Sequence, residues 1–262
     1  MDPVGITDIG KQRLNNEDSL FVSGESFHKL PNLFIVADGM GGHNAGEVAS
    51  AEAISLFTKY CETTAFKKKE TLDHLIAGCV YANDGVLTMA ESNINYGGMG
   101  TTFSVCVKDK KKLYIAHIGD SRIYAVLSDG MRLLTCDHTY VNEMQKLGQL
   151  TEEQAKTHPR RNMLTKVLGV ERGVKFDGQA FDLTGCLKIL MCSDGLTNML
   201  TDGEIFNEIT GSNADTANRL IDAANAKGGA DNITIIIFDA TETVNGGGQG
   251  AAGTGRHNKR TL

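Results

Sequence analysis

The 262-residue sequence has no tryptophan and no apolar run approaching the ~20 residues that a membrane-spanning helix needs. No membrane partner is expected. It also lacks a basic excess, with 26 Lys and Arg against 32 Asp and Glu and a net charge of −6, so nothing in the balance favours nucleic acid. Its six cysteines (Cys61, Cys79, Cys106, Cys136, Cys186 and Cys192) are scattered without a Cys-x-x-Cys, which argues against a zinc or disulfide framework and for reduced structural thiols. A cysteine nucleophile at Cys192 would need a phosphate-cradling loop and an arginine just after it, and neither follows. The N-terminal MDPVGITDIG carries neither the basic nor the apolar region of a signal peptide, so a cytoplasmic location is expected.

What the chain does contain is a repeated arrangement of aspartate and apolar strand. The run Leu33, Phe34, Ile35, Val36, Ala37 ends in Asp38, followed by Gly39, Gly41 and Gly42. An acid among apolar neighbours costs desolvation unless a cation or hydrogen bonds compensate it, although Asp-Gly is also an ordinary turn. Lys188 to Gly195 (KILMCSDG) delivers Asp194 in the same way, and Asp231 precedes the apolar run from Ile233 to Phe238. Asp120 lies between two further strand-like runs in LYIAHIGDSRIYAV, where Gly119-Asp120 reads as a hairpin turn. Carboxylates converging at strand ends suggest a magnesium or manganese site, because carboxylate, carbonyl and water oxygens suit those ions.

At 28.2 kDa the chain is one large domain or two small ones. Arg13 and the pair Glu17-Asp18 flank an early polar loop that is either a solvated hairpin connection or a phosphate-binding and water-binding element. Helices are expected over 45–62 and 71–90, the second with an apolar stripe, and Lys67 to Lys69 between them reads as a solvated loop. Closely spaced strands from Thr101 to Thr135 suggest an antiparallel meander. Residues 137–169 are irregular, with one short helix capped by Thr151 and Gln154, and are either a flap beside the site or a plain surface loop. Strands over 174–182 and 187–192, a capping box at Thr201 and Glu204 and a helix over 215–226 follow. The Gly-rich residues 241–262, ending in Arg256, His257, Lys259 and Arg260, are expected to be disordered.

Taken together, RLNNED at 13–18, VADGMGGHNAGE at 36–47, GMGTT at 98–102, IGDSR at 118–122, the HPRRN and LTKVLG segments, CSDGL at 192–196 and GADNIT at 229–234 resemble the bacterial branch of the metal-dependent protein phosphatases, also called protein phosphatase 2C. The resemblance spans about Val4 to Asp239. It implies an α+β fold, a four-layer α-β-β-α sandwich of two antiparallel sheets packed face to face with helices outside, over residues 1–240. It also implies two core Mn2+ or Mg2+ ions, with Asp38 bridging both, the Gly39 carbonyl on one, and Asp194 and Asp231 completing the other. Asp18 and Glu17 would support the site through water, and Asp120 with Asp194 would hold a third, weaker ion. Arg13 would clamp phosphate, and Arg13, Asp38, Asp194 and Asp231 would form the catalytic set. Eukaryotic relatives often carry His directly after Asp-Gly; this chain has Met40, which leaves the general acid unassigned, and His43, His117 and His138 read as structural.

The implied activity is hydrolysis of phosphoserine and phosphothreonine on proteins by a monomer that opposes a bacterial Ser/Thr protein kinase, the kinase itself being among its phosphoprotein partners. Two alternatives compete. A silent phosphoprotein-binding module would be marked by lost metal aspartates, and none is lost here. A hydrolase of small phosphate esters or nucleotides finds no Walker-type loop and no base-stacking aromatic series.

Overall fold

The computed structural model describes residues 2–42 and 45–240. Strands β1 (Val4–Asp8), β2 (Asp18–Ser23) and β3 (Leu33–Met40) lead into helices α1 (Ala45–Thr63) and α2 (Thr71–Ser92). Next come β4 (Gly100–Thr101), β5 (Phe103–Asp109), β6 (Lys112–Ile118), β7 (Arg122–Val126) and β8 (Met131–Leu133). Helices α3 (Tyr140–Lys146) and α4 (Glu152–Thr157) precede β9 (Asp177–Asp182) and β10 (Lys188–Cys192), and α5 (Asp194–Thr197), α6 (Asp202–Glu208) and α7 (Asn213–Ala226) precede β11 (Ile233–Asp239). One antiparallel sheet has the order β1-β11-β10-β7-β8; the other runs β2-β3-β5-β6-β9, with β4 added beside β3.

The central strands read as unbroken apolar runs because both of their faces are buried. Leu33, Ile35 and Ala37 pack outward with Ala49, Ala53 and Phe57 of α1 and Leu75 and Cys79 of α2. Phe34 and Val36 point the other way and meet Ile189, Met191, Ile236 and Phe238 of the facing sheet. Leu190, Cys192, Ile235 and Ile237 then cover the far side of that sheet against Leu196, Ile205 and Leu220. Three apolar layers therefore separate four structural layers, the α-β-β-α sandwich implied by the resemblance. Phe34 and Phe238 stack across the middle layer, ring centroids 4.1 Å apart.

Several local expectations hold. The capping boxes at Thr151/Gln154 and Thr201/Glu204 are both formed. Others need correction. Gly119-Asp120 is not a hairpin turn, and the strands from Thr101 to Thr135 are not one meander: β6 and β7 belong to different sheets, and the chain crosses the sandwich between them. Gly119 makes the crossing at φ +105°, with Thr102 so close that a Cβ would sit 2.5 Å from its side chain. Asp38 stands inside β3, not beyond its end. The 137–169 segment contains α3 as well as the expected α4, and the strand expected from Val174 starts only at Asp177. His43 and the 241–262 tail lie outside the described residues.

Candidate metal-dependent active site

The site forms where β2, β3 and the starts of α5 and β11 meet at one edge of the sandwich. Asp18 and Asp38 are direct cross-strand partners on β2 and β3. Like charges opposite one another destabilise a ladder unless a proton or cation separates them. Asp194 opens α5 two residues after the end of β10, and Asp231 stands two residues ahead of β11. These two strands pair with each other, Cys192 opposite Ile235, which carries both acids to the same edge.

Electrostatics show how tightly the acids crowd. Burial pushes Asp18 up to about 7 despite hydroxyl hydrogen bonds from Thr234 and Ser193, and Asp194 and Asp231 add to the rise. Asp194 rises to about 6 through burial and the neighbouring Asp231. Asp38 is raised well above the carboxylate range by burial and then by Asp18, Asp194, Asp120 and Asp231. Asp120 is raised well above it too, by burial followed by Asp194 and Asp137, with Arg122 opposing. Glu17 is raised by burial while Arg13 pulls it back.

Hydrogen bonds hold the acids in place. Ser193 Oγ donates to Asp18 Oδ2 at 2.7 Å, and Asn198 Nδ2 donates to Asp194 Oδ2 at 2.8 Å. Arg13 Nη2 donates to Asp231 Oδ2 at 2.7 Å, which leaves the rest of a half-exposed guanidinium facing outward. The Asp38 amide donates to Thr102 Oγ1 at 2.9 Å, and Thr102 shares a 2.7 Å bond with Ser121, the residue after Asp120. Gly39 has no alternative residue: a Cβ there would lie 2.1 Å from the Gly46 carbonyl oxygen and 2.6 Å from that of Glu17. Asn232 ties the Arg13–Glu17 loop to the site, its Oδ1 accepting from the Glu17 amide at 2.8 Å and its Nδ2 donating to the Asn15 carbonyl at 3.0 Å.

These residues fit a hard divalent cation. Asp18 Oδ1 and Asp194 Oδ1 are buried without a hydrogen-bond partner, and an oxygen-rich acidic cluster is what such an ion stabilises. Among the described residues no three His, Cys, Asp or Glu side chains yet converge on one ligating point. Crowded carboxylate oxygens without donors are costly unless a proton or a cation neutralises them.

Of the residues singled out in sequence, Arg13, Glu17, Asp18, Asp38, Asp194 and Asp231 share this edge, and Asp120 faces Asp194. Both of the latter line a cleft of about 840 Å³ between the 137–169 segment and α5–α6, which Asn162 and Asn198 also line. Ser193 and Asn232 sit inside the quoted CSDGL and GADNIT segments and could have been read as supports. Thr102 likewise closes the GMGTT segment, whereas Asn198 lies outside every motif and carries no comparable signal. His117 and His138 are both buried.

The layers and the acidic edge define a protein of the phosphatase 2C fold, and the comparisons agree. The protein phosphatase 2C family profile matches residues 9–226, and the chain belongs to that family, whose members are metal-dependent phosphatases. It is 40% identical over 238 residues to a serine/threonine phosphatase of Listeria innocua, covering 89% of this chain and 93% of that one. It is 36% identical over 241 residues to the protein phosphatase PhpP of Streptococcus pneumoniae, covering 90% of this chain and 96% of that one. Among solved structures, a serine/threonine phosphatase from Staphylococcus aureus matches with TM-score 0.85 at 33% identity, covering 92% of this chain and 94% of that one. The Mycobacterium tuberculosis phosphatase PstP/Ppp matches with TM-score 0.81 at 30% identity, covering 92% and 98%.

Proposed function

We propose that the protein hydrolyses phosphoserine and phosphothreonine on other proteins. The carrying observation is the gathering of Asp18, Asp38, Asp194 and Asp231 at one edge of the sandwich, where the acids raise one another's pKa values and Asp18 Oδ1 and Asp194 Oδ1 are buried without a hydrogen-bond partner. The names of the relatives support the choice of substrate class.

Asp38, the Gly39 carbonyl, Asp194 and Asp231 would hold two Mn2+ or Mg2+ ions, Glu17 and Asp18 would support the site, and Asp120 with Asp194 would hold a third. Bound there, such ions supply a water of lowered pKa as nucleophile. The chain's own groups do the positioning. Ser193 orients the Asp18 carboxylate and Asn198 that of Asp194. Arg13, anchored by one prong on Asp231, presents its remaining donors to phosphate oxygens in a planar fork. Residues 1–240 form one catalytic domain, and the 137–169 segment acts as a flap over the cleft. The physiological setting is a cytoplasmic monomer opposing a Ser/Thr protein kinase.

Asp38→Ala and Asp194→Ala test this. Each should abolish turnover of a phosphothreonine peptide while the circular dichroism spectrum stays that of the parent; parental activity in either variant would contradict the assignment.

A further inference from the structure

The turn that carries Asp120 is gripped on both sides by two consecutive residues at the base of the 137–169 segment. On one side His138 clasps Gly119 twice: its amide donates to the Gly119 carbonyl at 2.8 Å, and its ring Nδ1 accepts from the Gly119 amide at 3.1 Å. On the other side Asp137 receives a fork from Arg122, with Nε to Oδ1 at 3.0 Å and Nη2 to Oδ2 at 2.7 Å. Asp120 thus hangs between two clamps.

His138 also reaches the other end of the segment. Its carbonyl accepts from the Thr165 amide at 2.8 Å, and its Nε2 lies 3.2 Å from Asp177 Oδ2 at the start of β9. An Nδ1 that accepts from a backbone amide fixes the tautomer, so Nε2 carries the hydrogen and donates it to Asp177. The ring is buried and stacks on His117, centroids 5.3 Å apart. Burial lowers the pKa of His138, which keeps the neutral form that this pattern needs.

We infer that His138 is a positioning residue for the phosphatase reaction, locking the Gly119–Asp120 turn to both ends of the 137–169 segment so that the cleft wall and the Asp120 carboxylate are held in one register. The inference rests on the proposed phosphatase reading, yet the grip itself is measurable without activity.

The test uses the full chain and three variants, each checked for its melting temperature. His138→Asn places an amide oxygen near the Nδ1 position and keeps the Gly119 contact; His138→Gln reaches toward Asp177 and loses it; His138→Leu loses both. In chelator-treated protein, amide hydrogen exchange at Gly119 should speed at least tenfold in the Leu and Gln variants and stay near parental in the Asn variant. With manganese, the Leu and Gln variants should show a KM for a phosphothreonine peptide raised roughly tenfold with a smaller change in kcat, and Asn should restore it. Unchanged Gly119 exchange in folded His138→Leu would overturn the grip, and equal kinetic losses in Asn and Gln variants would overturn the positioning role. Absence of turnover in the parent would instead strike the phosphatase reading and leave the exchange result to decide the grip.

Discussion

Asp18 and Asp38 face each other across the β2–β3 ladder, two acids paired where a sheet would ordinarily place complementary side chains. The pairing makes the metal-free site a source of instability, and the rest of the molecule tolerates it because three apolar layers hold the strands from both sides.

Stability without metal should therefore fall with rising pH at this site. Asp18 has an ordinary unfolded value near ~4 and a folded value of about 7, so the native state holds the extra proton between them. Its contribution is complete below the lower value and is lost as pH rises through the upper one. Buried His117, held near 4 by desolvation and by His138, acts in the opposite direction, costing stability as pH falls below ~6.5. Comparison with Asp18→Asn separates the two. Thermal melts of chelated protein at pH 5 and pH 8 should show a smaller loss in the variant than in the parent; equal losses would assign the pH dependence elsewhere.

Added Mg2+ should raise the melting temperature more at pH 8 than at pH 5, because ions and protons compete for the same carboxylates. The increment should shrink in Asp194→Asn. A pH-independent increment would place the ion away from this cluster.

Gly39→Ala should destabilise the fold by about 1–3 kcal/mol and lower activity together, since the new Cβ meets backbone oxygens of Gly46 and Glu17 that no rotamer change can move. Denaturant melts and turnover of the purified variant check both parts.

Phe238→Ala should cost about 3–5 kcal/mol by emptying the layer between the sheets beneath Phe34. Chemical denaturation measures it; a loss below 1 kcal/mol would mean that the two sheets close over the gap.

Much of this was legible in the chain because the strands are buried on both faces. Continuous apolar runs marked β3, β10 and β11, and each of Asp38, Asp194 and Asp231 is conspicuous beside such a run. The crossing at Gly119 was not legible, since a Gly-Asp between two strand-like runs looks the same whether the chain turns back or changes sheet. Nor was the Asp137–His138 clamp: its partners lie 15 and 19 residues away, and only the sandwich brings them together. His138 therefore reads as a structural histidine until its two ring contacts are seen.

The most direct measurement is phosphate release from a phosphothreonine peptide by chelator-treated protein, with and without added manganese. The account predicts negligible release without the ion and turnover when it is restored. Full turnover in the presence of excess chelator, or none with the ion bound, would contradict it.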